Sequence, residues 1–297
     1  MDRLRALEVF VAVAEAGSLA GAAKAMSMSA PSVTRIVGEL EAELGALLFH
    51  RSTRATTLTG PGRSFLSDAQ RILDDYQASS DAVRGSHRAP KGCLRLTAPT
   101  LFGQHYVSPI LLEFLDRYAE VEAEAIYLDR VVNLIDEGFD VAVRIGELSD
   151  TNLMATRVGS VRRVVCAGAA YLAQNGVPRS PADLAGHRII QARPVTASSE
   201  WKFAGGKSER IRPRISFSSI SAAIAAAKAN WGLTRVLSYQ IGPDLDAGDL
   251  QIVLEDFEPD PLPIHIVHAE GRNVSAKVRA FVDMAVASLR QNARLSM

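Results

Sequence analysis

Cysteine is nearly absent. Cys93 and Cys166 are the only two in 297 residues, too few for a disulfide scaffold or a zinc site, though a redox-sensing pair stays open beside two inert buried thiols. No run of eighteen apolar residues occurs, and the N-terminus MDRLRALEVF is charged at once. Neither a membrane span nor a secretory leader is expected, and the chain reads as cytoplasmic. Net charge is missing too, with 33 Lys and Arg against 33 Asp and Glu. A balanced chain does not advertise nucleic-acid binding in bulk, so any such signal has to be local. Catalytic signatures are also lacking: there is no Gly-x-Ser-x-Gly, no His-Glu-x-x-His, no Gly-x-x-x-x-Gly-Lys, and no Gly-x-Gly-x-x-Gly opening a helix. His265 and His268 stand three apart on a strand-like run, so they point to opposite faces and make a poor metal pair. No catalytic residue, metal or cofactor is expected.

What is present starts with an N-terminal helical unit. Leu4, Leu7, Phe10, Val11 and Ala14 recur at helical spacing and Gly17 follows as a stop. Ser18 then caps a short Ala-rich helix whose Leu19, Ala22, Ala23 and Met26 are mostly small, so that a neighbour can approach closely. After Met28 in the turn, Ser29 caps a third helix with Pro31 in its first turn and a buried stripe of Val33, Ile36, Val37, Leu40 and Leu44. Arg35 lies opposite that stripe, flanked by Ser32 and Thr34. This is the half of a helix that reads base edges in a helix-turn-helix. An ordinary helical hairpin with a polar outer face is the competing reading.

The next segment favours DNA. LLFHRSTRATTLTGPGR holds two short apolar pieces, Leu47 to Phe49 and the one around Leu58, joined by a polar tip as in a β-wing. His50, Arg51, Arg54 and Arg63 lie between Leu44 and Ser67, where no acidic residue occurs, and a local cationic patch fits phosphate contacts.

The run from Phe10 through AEAGSLAGAAKAMSMSAPSVTRIVGELEAELGALLFHR to LTGPG resembles the winged helix-turn-helix of LysR-type transcriptional regulators, and the resemblance continues to the C-terminus. The family commonly has Gln where this chain has Ala30. The resemblance implies double-stranded promoter DNA as one partner, read by Ser29, Ala30, Pro31, Ser32, Thr34 and Arg35 with Arg51 and Arg54 on the wing. It also implies a small-molecule effector and a homodimer or homotetramer, and leaves contact with RNA polymerase open. No membrane partner is implied.

Thr59 can cap a further helix, although Gly60 and Gly62 weaken its start. Phe65, Ala69, Ile72, Tyr76, Ser79 and Val83 alternate spacings of four and three, an a/d seam suited to pairing with a second copy. The alternative is a helix lying on its own domain. GSHRAPKG, 85–92, reads as a hinge.

From Cys93 onward strands and helices alternate. CLRLTA, VEAEAIYL, DVAVRI, VRRVVCAG, RIIQA, WKFAG, RISFSS, LTRVLS and IHIVHA read as strands. Helices are expected around Val107 to Tyr118, Val131 to Glu137, from Ala169, from Ile220 to Asn230 and from Val274 to Leu289. The fold class expected is therefore α/β with an N-terminal all-α winged helix-turn-helix, a long linker helix, and an effector domain of two α/β lobes that looks like the type 2 periplasmic-binding-protein fold. The boundaries expected are 1–59 for the DNA-binding domain, 60–88 for the dimerisation helix and hinge, and 89–297 for the effector domain. Within it, lobe I takes 92–161 and 268–297, and lobe II takes 162–267.

A cleft between two such lobes is where small ligands bind. Strand exits nominate Thr100, Leu101, Gly146, Ser149, Ser219 and Ile220, and helix starts with hydroxyls suit a small organic anion. A plain cap or turn role competes with ligand contact at each. Arg144 and Arg235 are open to a role as structural ion-pair partners. A solute-binding carrier without DNA binding is the rival function, and the first sixty residues separate the two.

Overall fold

The computed structural model describes residues 2–51, 56–83, 89–148, 153–192, 200–268 and 274–295. The chain divides into two compact units, one of residues 1–88 with 273–276 and the other of residues 89–272 with 277–297. No single helix among the described residues is long and apolar enough to cross a membrane.

The N-terminal unit runs α1 (Arg3–Ala16), α2 (Leu19–Ala25), α3 (Ala30–Leu44), β1 (Phe49–Arg51), β2 (Thr56–Leu58) and α4 (Gly60–Val83). Its caps follow the sequence. Asp2, Ser18 and Ser29 each accept an amide of the first turn that follows, and Gly17 closes α1 in the left-handed region at φ 61°. Phe10 sits at the centre, its ring 5.3 Å from those of both Phe49 and Phe65. Thr59 fixes the start of α4: its hydroxyl accepts from Gly62 N at 2.9 Å and donates to the Leu47 carbonyl at 2.7 Å. Gly62 strengthens this start rather than weakening it, because a Cβ there would meet the Leu48 carbonyl oxygen at 2.0 Å. Only glycine allows that approach.

Two expectations for this unit need correction. Leu44 is 43% exposed, and the buried stripe of α3 instead ends on Glu41, 6% exposed. The seam expected along α4 is also not continuous. Ala69 is fully buried and Phe65 packs on the same core as Phe10, so both are used within the chain. Ile72 and Tyr76, at 42% and 58% exposed, are the ones left outward. Nothing is described for the Ser79 and Val83 side chains, which lie outside the described residues.

The larger unit contains two five-stranded sheets. The first has the order β4-β3-β5-β14-β6, from β3 (Gly92–Ala98), β4 (Val121–Tyr127), β5 (Val141–Ile145), β6 (Met154–Val161) and β14 (Leu262–His268). The second has the order β11-β8-β12-β7-β13, from β7 (Arg163–Gly168), β8 (Ile189–Ala192), β11 (Pro213–Phe217), β12 (Leu233–Leu237) and β13 (Leu250–Val253). A separate hairpin joins β9 (Glu200–Lys202) to β10 (Ser208–Arg210). Helices α5 (Thr100–Phe102) and α6 (Ser108–Arg117) are joined by a π turn over Gly103–Val107, and α7 (Ala169–Asn175), α8 (Ile220–Lys228), α9 (Gly242–Asp246) and α10 (Ala276–Arg290) complete the set.

The chain crosses between sheets after β6 and again before β14. Because β14 pairs with β5 and β6, the first lobe resumes at Leu262 rather than at 268. Val131 to Glu137 is not a helix but an irregular segment and turn. Asn133 Oδ1 accepts from Ile135 N and Asp136 N at 3.2 and 3.4 Å, while Glu137 Oε1 takes the Asn133 amide. Such side-chain bonds satisfy the backbone in place of a helical ladder. Strands β6 and β13, where the burial pattern does not alternate strictly, had no clear signal of their own.

Candidate DNA-binding and effector sites

The outward end of α3 forms from its cap. Ser29, Ala30, Pro31 and Arg35 are exposed and Ser32 and Thr34 are half-buried. Ser29 and Ser32 share a hydroxyl bond of 2.7 Å, and Thr34 donates back to the Ala30 carbonyl at 2.9 Å. Arg35 reaches Glu39 one turn on at 2.6 Å with its side chain 65% exposed. A surface pair of this kind is worth only about 0.3–0.5 kcal/mol, so it parks the guanidinium without withholding it. His50 is exposed on β1, and Arg63 donates to the Leu58 carbonyl at 3.0 Å. The Arg51 side chain and Arg54 lie outside the described residues.

Sequence reasoning missed the group that sets the wing against α3. Glu41 Oε1 accepts from Leu48 N at 2.9 Å and from Phe49 N at 3.2 Å. Both donors are nearly fully buried. The signal was present: Glu41 falls four residues after Val37, on the apolar stripe, where a carboxylate needs a buried donor.

In the larger unit the lobes meet through aromatic rings. Phe102 and Tyr106 stack at 4.8 Å, and the Tyr239 ring from the second lobe meets them edge-on at 5.2 and 5.9 Å. Burial pushes the Tyr239 phenol well above its ordinary range. At the first crossing, Arg162 pairs with Glu258 on the return connection at 3.3 Å and its amide donates to the Ser238 hydroxyl at 3.1 Å. Burial raises the Glu258 carboxyl while Arg162 pulls it back down.

The nominated effector residues fall at the ends of these strands with unequal freedom. The Thr100 amide is already held by Asp129 Oδ1 at 2.9 Å, so an anion arriving there meets a carboxylate. Leu101 is buried, and Gly146 donates its amide to the Pro263 carbonyl at 2.9 Å. Ser219 caps α8, accepting from Ala222 N at 3.4 Å, and Ile220 is half-buried. Ser149 lies outside the described residues. Arg144 and Arg235 are not ion-pair partners among the described residues. Arg144 donates to the Val132 carbonyl, and Arg235 donates to the Lys202 carbonyl at 3.2 Å with its guanidinium 4.8 Å over the Trp201 ring.

A winged helix-turn-helix followed by a long helix and a bilobed α/β unit defines the class of ligand-responsive DNA-binding regulators. Family comparison agrees for both parts: residues 4–63 match the bacterial regulatory helix-turn-helix protein, lysR family, and residues 87–290 match the LysR substrate binding domain. The chain is 31% identical over 289 residues to the HTH-type transcriptional regulator CrgA of Neisseria meningitidis serogroup C (strain 8013), covering 96% of this chain and 97% of that one. It is 29% identical to the HTH-type transcriptional activator AaeR of Escherichia coli (strain K12), over 95% and 93% of the two chains. A solved structure of CrgA, a LysR-type transcriptional regulator from Neisseria meningitidis, superposes with a TM-score of 0.63 at 30% identity, covering 97% of this chain and 99% of that one. The chain belongs to the LysR family of transcriptional regulators. It is a DNA-binding regulator with an effector-binding domain, not an enzyme and not a carrier lacking a DNA-binding head.

Proposed function

We propose that this regulator binds double-stranded promoter DNA as a homodimer or homotetramer in the cytoplasm, and that a small organic anion entering between the two lobes alters its promoter contacts. The observation that carries the reading is the exposed start of α3 beside a wing fixed by Glu41, in the same chain as two sheets joined by two crossings. On this reading residues 1–59 read DNA, 60–88 pair two copies, and 89–297 sense the effector. Within the pairing helix, Ile72 and Tyr76 carry the contact, with Val83 continuing it. Ser29, Ala30, Pro31, Ser32, Thr34 and Arg35 face bases or the adjoining backbone, while Arg51 and Arg54 face phosphates. A ligand shifts such an assembly only by binding its two arrangements with different affinity.

The experiment is a thermal-shift screen of small organic acids on the full chain, followed by footprinting with and without the best hit. Ligand at a hundred times its dissociation constant stabilises by about 2.7 kcal/mol, a readily measured shift. A footprint that changes with the hit supports the reading. Thr100→Val and Ser219→Ala then test the cleft residues by calorimetry. Each loses about 0.5–3 kcal/mol of ligand affinity if its hydroxyl touches the effector. Full affinity in both returns these residues to cap roles.

A further inference from the structure

Arg163 opens β7 and Arg235 lies on the neighbouring β12. The antiparallel register sets Arg235 opposite Val165 and Leu237 opposite Arg163. Alternation therefore brings both arginines to one face of the sheet, diagonally across the two strands and within reach of each other. The same face carries Val165, Leu233 and the buried Trp201. Helix α8 packs on the other face, where Gly168 closes against the Ala227 carbonyl. The arginine pair thus lies on the sheet face opposite the one that α8 covers.

Both side chains are half-buried. Arg235 is oriented by two contacts, the Lys202 carbonyl at 3.2 Å and the Trp201 ring at 4.8 Å. Neither neutralises its charge. Arg163 makes no side-chain hydrogen bond or ion pair among the described residues, and neither arginine has a carboxylate partner there. Burial destabilises the charged form of both groups, and Arg163 adds like-charge repulsion at Arg235.

Two neighbouring cations partly withdrawn from water, with no counter-charge among the described residues, are an unfavourable arrangement for a fold to keep on its own account. Guanidinium forks match the paired oxygens of a carboxylate or phosphate, and an aromatic platform under one of them holds its plane while its edge stays free to donate. We propose that Arg163 and Arg235, with Trp201 beneath Arg235, form a binding site for a small oxyanion carrying two negative charges, of the phosphate or dicarboxylate class. The site stands independently of the assignment of the cleft residues Thr100 and Ser219.

The test is thermal unfolding of the full chain in sodium phosphate, sodium succinate and sodium chloride at equal ionic strength. Phosphate or succinate raises the melting temperature above the chloride value in the parent, and Arg163→Met and Arg235→Lys lose that rise. The two anions separate an inorganic oxyanion from a dicarboxylate. In chloride, Arg163→Met melts no lower than the parent, because it removes a partly desolvated cation that has no partner among the described residues. An arginine with a purely structural role gives the opposite pattern: the variant melts early in every salt and retains the response to anion. A second measurement needs no arginine variant. Titrating phosphate and succinate into the parent gives a saturable change in tryptophan fluorescence with at least one of them, and Trp201→Phe removes it, leaving only Trp231. No rise over chloride and no saturable fluorescence change with either anion overturns the proposal.

Discussion

Replacing Glu41 by Ala removes one carboxylate oxygen that accepts two buried amides, Leu48 N at 2.9 Å and Phe49 N at 3.2 Å. A buried donor left without an acceptor costs about 1–3 kcal/mol, so the two amides together set a loss of about 2–6 kcal/mol for the N-terminal unit. The lower half of that range is expected if water enters beside the shortened side chain. Glu41→Gln keeps an acceptor oxygen and loses about 1 kcal/mol. Hydrogen exchange read by mass spectrometry localises the effect. Peptides covering 46–51 lose protection in Glu41→Ala while those covering β7 and β12 do not change. DNA affinity falls in parallel, because the wing is no longer held against α3. Unchanged protection at 46–51 with unchanged DNA binding would refute the role assigned to Glu41.

Arg35→Ala weakens binding to a preferred site by about 1–3 kcal/mol, less the few tenths by which the Glu39 pair holds the free side chain. Arg51→Ala and Arg54→Ala instead weaken all sequences alike and flatten the salt dependence, and competition binding at several salt concentrations separates the two patterns. Ile72→Asp or Tyr76→Asp sets like charges against each other and lowers the oligomer mass by light scattering, whereas Ala69→Asp unfolds the N-terminal unit instead, since Ala69 is fully buried within the chain. Burial pushes the Cys166 thiol up to about 12. It therefore stays protonated at pH 8 and resists alkylation by iodoacetamide in the folded protein, and rapid modification there contradicts the packing of β7.

Local chemistry made the N-terminal unit legible. Asp2 aside, its caps and stops are single residues whose side chains or backbone act within four positions, as Gly17, Ser18 and Ser29 do. The seam on α4 was half legible, because a repeat of four and three marks an apolar face without saying which neighbour covers it. Phe10 covers Phe65, and Ile72 is left open. Contacts distant in sequence were out of reach. Glu41 meets amides seven and eight residues on, and Arg163 comes to lie diagonal to Arg235 only after β12 has returned beside β7. Asp129 is the clearest case among the nominated effector residues: nothing near Thr100 in sequence announces that its amide is already taken. The turn at Asn133 defeated periodicity for another reason, since its side-chain bonds compete with the helix that the apolar spacing suggests.

Selection of bound duplexes from a random DNA pool by the full-length chain tests the central claim most directly. A paired helix-turn-helix presents two copies of α3 to successive major grooves. The account predicts enrichment of a dyad-symmetric motif whose half-sites lie about 10 base pairs apart, or a multiple of that, and loss of the motif in Arg35→Ala. Recovery of the input pool without enrichment, or of the same motif from Arg35→Ala, contradicts it.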